Sequence, residues 1–133
     1  MENQSCVKIA TEWDIVAARQ LGRNAAKELG FGQVDQARIT TAISELARNI
    51  YLYAGQGQIG IDFLEGNGRK GLKIIAEDNG LGIQDIRKVM EDGFSTSGGL
   101  GAGLPGVKRL MDKFEITSEV GVGTKIQAVK WLR

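Results

Sequence analysis

Apolar residues recur with helical spacing in the first half of the chain. A first helix is predicted between Thr11 and Gly30, because Thr11 and Asp14 have the spacing of a capping box and glycine commonly ends helices. Its apolar residues lie three or four positions apart, at Ala18, Leu21, Ala25 and Leu29. A second helix is predicted over residues 34–53, with an apolar stripe at Ile39, Ile43, Leu46 and Ile50.

Alternating apolar and polar positions predict strands elsewhere. "SCVKIA" reads as a short first strand, and "IGIDFLEGNGRKGLKIIAED" has the pattern of a hairpin around a Gly-Asn-Gly turn. "FEITSEVGVGTKIQAVKWL" predicts a second hairpin, and "DIRKVM" predicts a short helix. Another amphipathic helix is predicted from Leu104, Val107, Leu110, Met111 and Phe114. We expect one α+β domain over residues 1–133, a two-layer α/β sandwich with helices on one face of a mixed or antiparallel sheet.

The charge and the cysteine content of the chain limit which binding partners and which cellular compartment we expect. Lys and Arg total 17, Asp and Glu total 16, and the two signs are interspersed, so no basic patch indicates nucleic acid or an anionic membrane. The one cysteine, Cys6, can form no internal disulfide. Neither a charged-then-apolar leader nor a long apolar run opens the sequence, and we expect a cytoplasmic protein.

The chain contains no histidine, which removes several chemistries. Ser-His-Asp and Cys-His sites, the HExxH zinc site and a phosphohistidine relay within this chain are all excluded. Any chemistry here depends on carboxylates, amides and the backbone.

A dense glycine cluster, "GGLGAGLPGV", occupies residues 98–107. It contains a GxGxxG match, but the preceding "EDGFSTSGGL" is a poor strand, which disfavours a dinucleotide fingerprint. No GK[ST] follows any glycine loop, and the HRD and DFG motifs of the eukaryotic-type protein kinases are missing. Three common nucleotide-binding folds are therefore excluded.

Four short segments in a fixed order carry the candidate chemistry. "ISELARNIY" places Glu45 and Asn49 four residues apart, so both lie on one face of the second helix. The other segments are "EDNGLGI" with Asp78, Gly80 and Gly82, the glycine cluster with Gly99, Gly101 and Gly103, and "GVGTKI" with Gly123 and Thr124. One segment alone would be weak evidence, whereas four in order are a strong signal.

Asp78 is predicted to lie on an apolar face. By strand parity it shares a face with Leu72, Ile74 and Ala76, which the helices should cover. A carboxylate there needs a hydrogen-bond partner. Two interpretations are open: a ligand-binding group in an apolar cleft, or the first residue of an Asp-Asn-Gly turn.

The four segments resemble the boxes of the GHKL or Bergerat ATP-binding family, which includes gyrase, MutL and the ATPase domains of histidine kinases. The resemblance implies ATP and Mg²⁺, with Asn49 on the metal, Asp78 on the adenine amine and Glu45 as the catalytic residue near the acceptor hydroxyl. Further nucleotide contacts are expected from Gly80, Gly82, Gly99, Gly101, Gly103, Leu104 and Thr124. Alternatively, Asn49 is a solvated helix residue and Glu45 pairs with Arg48.

The glycine cluster fits the family's ATP lid. Residues 93–103 resemble a short lid, and Pro105 suits the first turn of the helix that follows. Phosphates would then lie at the N-terminus of that helix, where free N–H groups and the helix dipole favour negative charge.

Within the family, the chain is similar to free-standing bacterial partner-switching kinases. The similar stretches are "TEWDIVAARQLGRN", "QARITTAISELARNIYLYAG", "KIIAEDNGLGI" and "VMEDGFSTSGGLGAGLPGVKRLMD". The resemblance implies a protein serine/threonine kinase of stress signalling that phosphorylates a STAS-domain antagonist and scaffold. After release, the kinase would activate a PP2C-type phosphatase.

The segment that follows Asn49 departs from the pattern of the anti-sigma relatives. Many anti-sigma relatives carry a basic or imidazole side chain shortly after the box asparagine, whereas this chain has "NIYLYAG", so Tyr53 is expected to be structural.

The alternative function is a nucleotide-gated binding module of the anti-sigma-factor type that sequesters a partner without catalysis. Glu45 favours the kinase, because metal and adenine binding do not require it.

Overall fold

The computed structural model of the chain describes residues 4–91 and 103–133. In chain order the elements are β1 Gln4–Ile9, α1 Glu12–Leu29, α2 Gln33–Tyr53, β2 Gly57–Gly66, β3 Arg69–Asp78, α3 Ile86–Val89, α4 Gly103–Leu110, β4 Lys113–Glu119 and β5 Gly123–Trp131. Every predicted helix and strand has a counterpart in this order, which confirms the α+β class.

The five strands form one sheet in the order β1-β2-β3-β5-β4. Among the described strands every neighbouring pair is antiparallel, so the mixed sheet that the sequence left open is wrong. Two of the pairs, β2–β3 and β4–β5, are hairpins, in which a short turn returns the chain beside the strand it has just left. The β2–β3 turn is the predicted one: Asn67 and Gly68 have φ angles of 55° and 74°, as a type I′ turn requires.

Helix α1 has the ends that its sequence predicts. The Asp14 carboxylate accepts hydrogen bonds from the backbone N–H groups of Ala10 at 2.8 Å and Thr11 at 2.9 Å. At the other end, Gly30 adopts a left-handed conformation with φ 104°, and its N–H donates back to the last turn of the helix.

The helices cover one face of the sheet, and the core lies between the two layers. Its fully buried large side chains come from both layers: Ile9, Ile39, Ile43, Leu46, Ile59, Ile61, Leu72, Ile74 and Val107. This arrangement confirms the two-layer prediction and the apolar stripe of α2. Within the residues that the structure describes, no helix is long and apolar enough to cross a membrane.

Helix α4 ends earlier than predicted. Met111 follows its last residue, Leu110, and Phe114 lies in β4. The N–H of Asp112 already donates to a β5 carbonyl at 2.8 Å, so the chain joins the sheet directly after the helix. The buried ammonium of Lys130 donates to the Leu110 carbonyl at 3.0 Å and satisfies one of the free carbonyls at the helix end.

The strand register brings the candidate segments to one end of the sheet. Ile9 pairs with Gly57, Gly57 with Asp78, and Asp78 with Thr124. Helix α1 begins just after β1, and α2 ends just before β2, so the start of α1 and the end of α2 lie at this same end. We call it the cavity end.

Candidate functional site

A cavity of about 410 Å³ opens at the cavity end, between α2 and the segment that follows β3. Strands β3 and β5 form its floor, and the start of α4 closes one side. The described lining residues are Leu46, Asn49, Ile50, Tyr53, Ala54, Ala76, Asp78, Gly82, Ile83, Gln84, Asp85, Lys88, Val89, Gly103, Leu104, Thr124 and Ile126. Most of them are apolar, and a few polar groups converge among them, as is typical of a small-ligand site.

Asn49 lines the cavity from α2. Its helix is fixed in the core by Leu46 and Ile50, which are 1% and 3% exposed, so the amide is carried on a rigid element. Asn49 is half-buried, which argues against the alternative of a solvated helix residue.

Glu45 lies one helical turn before Asn49 and is only 7% exposed. Its Oε1 atom is buried without a hydrogen-bond partner. The alternative pairing with Arg48 is wrong, because no ion pair joins these two described residues and the Arg48 Nε atom also lacks a partner. Glu45 does not itself line the cavity.

Asp78 ends β3 and lines the cavity floor. The residues that share its face, Leu72, Ile74 and Ala76, are buried, as strand parity predicts. The N–H of Gly80 donates to Asp78 Oδ1 at 2.8 Å, so the predicted turn is also present. The turn is compatible with a ligand-binding role, which stays a prediction, since the turn uses one carboxylate oxygen and fixes the side chain beside the cavity.

Two glycines allow the backbone to approach closely around Asp78. Gly123 has φ 148°, and a Cβ there would collide with the Asp78 carbonyl oxygen. Gly82 has φ 80°, and a Cβ there would collide with the Glu119 carbonyl oxygen. The loop after β3 and the β4–β5 turn are thus packed backbone to backbone at the cavity floor.

The remaining predicted site residues divide into three groups. Gly103, Leu104 and Thr124 line the cavity, and Pro105 lies in the first turn of α4, as predicted. Gly80 packs against Ala54 and holds Asp78, but it does not line the cavity. Gly99 and Gly101, like most of the segment compared with the lid, lie outside the described residues.

The sequence missed several lining residues. Tyr53 is 53% exposed and borders the cavity, so it is not a core residue. Gln84, Asp85 and Lys88 come from the segment that folds back after β3, and Lys88 is the one cation among the described lining residues. The Asp85 carboxylate caps α3 by accepting from the Lys88 N–H at 3.1 Å. The only available signal was the short helix predicted at "DIRKVM", which gave no indication of the cavity.

The fold and the site define a two-layer domain with an apolar cavity at one end of an antiparallel sheet that helices cover on one face. The family model of the Histidine kinase-, DNA gyrase B-, and HSP90-like ATPase matches residues 34–133, and the chain belongs to this family. The family predicted from the four ordered segments is confirmed.

Similarity to curated relatives indicates a narrower class of protein within this family. The chain is 80% identical over 133 residues, all of both chains, to the Serine/threonine-protein kinase RsbT of Bacillus subtilis (strain 168). It is 34% identical over 105 residues to the Anti-sigma F factor of Thermoanaerobacter sp. (strain X514), covering 72% of this chain and 70% of the relative. The predicted enzyme class, protein serine/threonine kinase, is confirmed by the first similarity.

Solved structures share the fold. The RsbU and RsbW domains of a Mycobacterium tuberculosis protein superpose with a TM-score of 0.63 at 21% identity, covering all of this chain and 33% of that one. The mycobacterial sensor histidine kinase MprB superposes with a TM-score of 0.56 at 16% identity, covering 97% of both chains. At these identities the likeness supports the fold alone.

Proposed function

We propose that this chain transfers the γ-phosphoryl group of Mg-ATP to a serine or threonine of a STAS-domain antagonist and scaffold, and that the released kinase activates a PP2C-type phosphatase. The observation that carries the proposal is the arrangement of three side chains. Asn49 and Asp78 face one cavity from different walls, and Glu45 lies one turn from Asn49 with a buried, unpartnered oxygen.

The cavity suits an adenine nucleotide. Its volume of about 410 Å³ is in the range of small-ligand sites, and Ala76, Ile83 and Ile126 offer apolar contact to the base. Asp78 accepts a hydrogen bond from the adenine amine, because a carboxylate in an apolar cleft is stabilised most by a well-directed hydrogen-bond donor. Its hydrogen bond with Gly80 holds the carboxylate in place before the nucleotide arrives.

The phosphates lie toward the start of α4. Gly103 and Leu104 line the cavity there, and the first N–H groups of a helix favour an anion. Mg²⁺ commonly takes one or two protein oxygens together with phosphate oxygens and water, so the single amide oxygen of Asn49 fits it. When bound, the ion neutralises charge that develops on the phosphates.

Glu45 orients and polarises the acceptor hydroxyl. A carboxylate buried without a partner costs free energy in the resting protein, which makes a purely structural role poorly matched to its position. A hydroxyl brought beside Oε1 would satisfy that oxygen and lie one helical turn from the metal ligand. Positioning of this kind is the main protein contribution to phosphoryl transfer.

The assignment of the STAS-domain and phosphatase partners rests on the family resemblance and on the 80% identity to a relative named as a serine/threonine-protein kinase. Phosphorylation adds about 1.5 to 2 negative charges to the acceptor. Charge placed beside the nucleotide phosphates weakens the complex and releases the kinase to its second partner. One chain thereby acts as an enzyme and then as an activating ligand.

A binding module without catalysis is the second candidate. It is favoured by relatives named as anti-sigma F factors, which match 72% of this chain at 34% identity. Such a module would bind ATP and a partner but transfer no phosphate.

The deciding experiment incubates the chain with labelled Mg-ATP and a STAS-domain protein, followed by phosphopeptide mass spectrometry. The kinase gives label on one serine or threonine of the acceptor, and Glu45→Ala removes it. A complex that forms with ATP but acquires no label supports the binding module instead.

A further inference from the structure

Helix α1 carries two large apolar side chains and a row of cations on its exposed side. Its inward side chains, Ile15, Ala18 and Ala26, are buried. Trp13 is 81% exposed and Val16 is 49% exposed, in the first two turns of the helix. Large apolar side chains so exposed at the start of a helix indicate a contact with another molecule.

Three cations continue this face along the helix. Arg19, Arg23 and Lys27 are all exposed and lie four residues apart, which places them in a row. Among the described residues none of the three forms an ion pair. We call Trp13, Val16 and the three cations the α1 surface.

The row of cations is unfavourable for the isolated helix. Like charges four residues apart repel each other, and no acidic residue occupies the positions three or four away from Arg19 or Arg23. Lys27 lies in the last turn, where the helix dipole favours a cation, but this reason does not apply to the two arginines. An acidic partner would remove the repulsion.

We propose that the α1 surface is the docking site for the acceptor protein, through an acidic face of that protein beside an apolar pocket that takes Trp13. The proposal rests on the proposed kinase function, because it assigns the surface that holds the substrate. Tryptophan and arginine are the side chains most often found at the energetic centres of protein interfaces. Charge complementarity would also speed the encounter.

The position of the α1 surface suits a substrate. Helix α1 begins at the cavity end, where α2 ends and where Asn49 and Asp78 line the cavity. A domain anchored on Trp13 is therefore held at the cavity end, and the row of cations extends away from that end along the helix. The acceptor hydroxyl can then be delivered from the same docked complex.

Other anionic occupants fit less well. Polybasic recognition of membranes uses about four to eight Lys or Arg residues, and the inward side of α1 is packed in the core, so the helix cannot bury itself in a bilayer. The net charge of +1 gives no wider basic field for nucleic acid.

The test compares R19E/R23E and W13A with the control K113E/K125E in steady-state phosphorylation of the STAS-domain acceptor. The control makes the same charge change at two exposed lysines on the other face of the sheet. For the α1 variants we expect the KM for the acceptor to rise about tenfold or more, as the loss of an interface anchor does. The kcat at saturating acceptor and the Kd for ATP should stay unchanged, which also shows that the variants are folded.

Added NaCl provides a second readout. Salt should raise the acceptor KM of the unmodified chain more than that of R19E/R23E, since the variant lacks the attraction that salt screens. A third readout uses the two tryptophans: in W131F, emission from Trp13 should shift to the blue on acceptor binding. The W13F/W131F chain provides the background spectrum.

Unchanged acceptor KM in the α1 variants, or Trp13 emission that does not respond, would overturn the docking site while leaving the kinase intact. Equal loss in K113E/K125E would also overturn it. If the unmodified chain binds ATP but labels no STAS acceptor, the proposed function fails and the docking site fails with it. Binding of anionic vesicles or DNA that depends on Arg19 and Arg23 would replace the protein partner with that ligand.

Discussion

Glu45 and Asn49 lie one helical turn apart on α2, yet their surroundings differ. Asn49 faces the cavity, whereas Glu45 is buried at 7% exposure with Oε1 unpartnered. On one helix face, the amide of Asn49 therefore borders the cavity, whereas the carboxylate of Glu45 lies outside its lining. This separation lets binding and transfer be tested independently.

Replacing Glu45 by alanine should abolish transfer while ATP affinity stays within a few-fold. Glu45 does not line the cavity, and the loss of an unpartnered buried carboxylate removes a desolvation cost. Calorimetry measures the Kd for ATP, and acceptor labelling measures transfer. Glu45→Gln is the matched control for shape, and it should be similarly inactive because an amide is a poor base. Equal loss of binding and transfer in Glu45→Ala would contradict the catalytic assignment.

Replacing Asp78 by asparagine should weaken ATP binding about tenfold or more. An asparagine oxygen can still accept the Gly80 N–H, so the turn and the fold persist, but the charged acceptor for the adenine amine is lost. A hydrogen bond to a charged group contributes about 1.5 to 3 kcal/mol, which is more than one factor of ten.

Asp85→Asn is the matched control for the Asp78 experiment. Asp85 also borders the cavity, and its asparagine variant keeps the cap on α3. It should bind ATP with nearly unchanged affinity. An Asp78→Asn chain that binds ATP as tightly as this control would remove Asp78 from the adenine site.

Features set by local sequence were predictable. The ends of α1 follow from Thr11, Asp14 and Gly30, whose signals act over a few residues. Strand parity placed Asp78 correctly, because alternation in a strand is geometric and the helices cover one face only.

Features set by packing between distant segments were not predictable. Lys88 reaches the cavity because the chain folds back after β3, and no periodicity in "DIRKVM" encodes that path. Met111 and Phe114 continue the apolar pattern of α4 but lie beyond the end of that helix, since pairing with the sheet begins at Asp112 and Phe114 lies in β4. The burial of Glu45 likewise depends on neighbours outside its own helix, and α4 packs against α2.

Replacing Asn49 by alanine should remove the magnesium dependence of nucleotide binding. The amide of Asn49 is the proposed protein ligand of the ion, so without it the ion loses one oxygen while the phosphates remain. Calorimetric titrations of ATP with and without Mg²⁺ measure the difference for each chain. We expect a clear gain from Mg²⁺ in the unmodified chain and little or none in the variant. A gain of the same size in both would exclude Asn49 as the ligand.

Stability should fall at acid pH partly through Asp14. Its pKa is lowered below its ordinary value by the hydrogen bonds from the backbone N–H of Ala10 and then of Thr11. A carboxyl group whose pKa is lower in the folded state contributes stability above its unfolded pKa and loses it as the pH falls through the folded pKa. Asp14→Ala should therefore lower the melting temperature at pH 7, and this deficit should shrink as the pH falls below the ordinary aspartate pKa of about 3.9. Glu12→Ala, an exposed acid in the same turn, is the control. Thermal melts of the three chains across this pH range measure the difference, and a deficit in Asp14→Ala that persists undiminished at acid pH would show that the carboxylate is not its source.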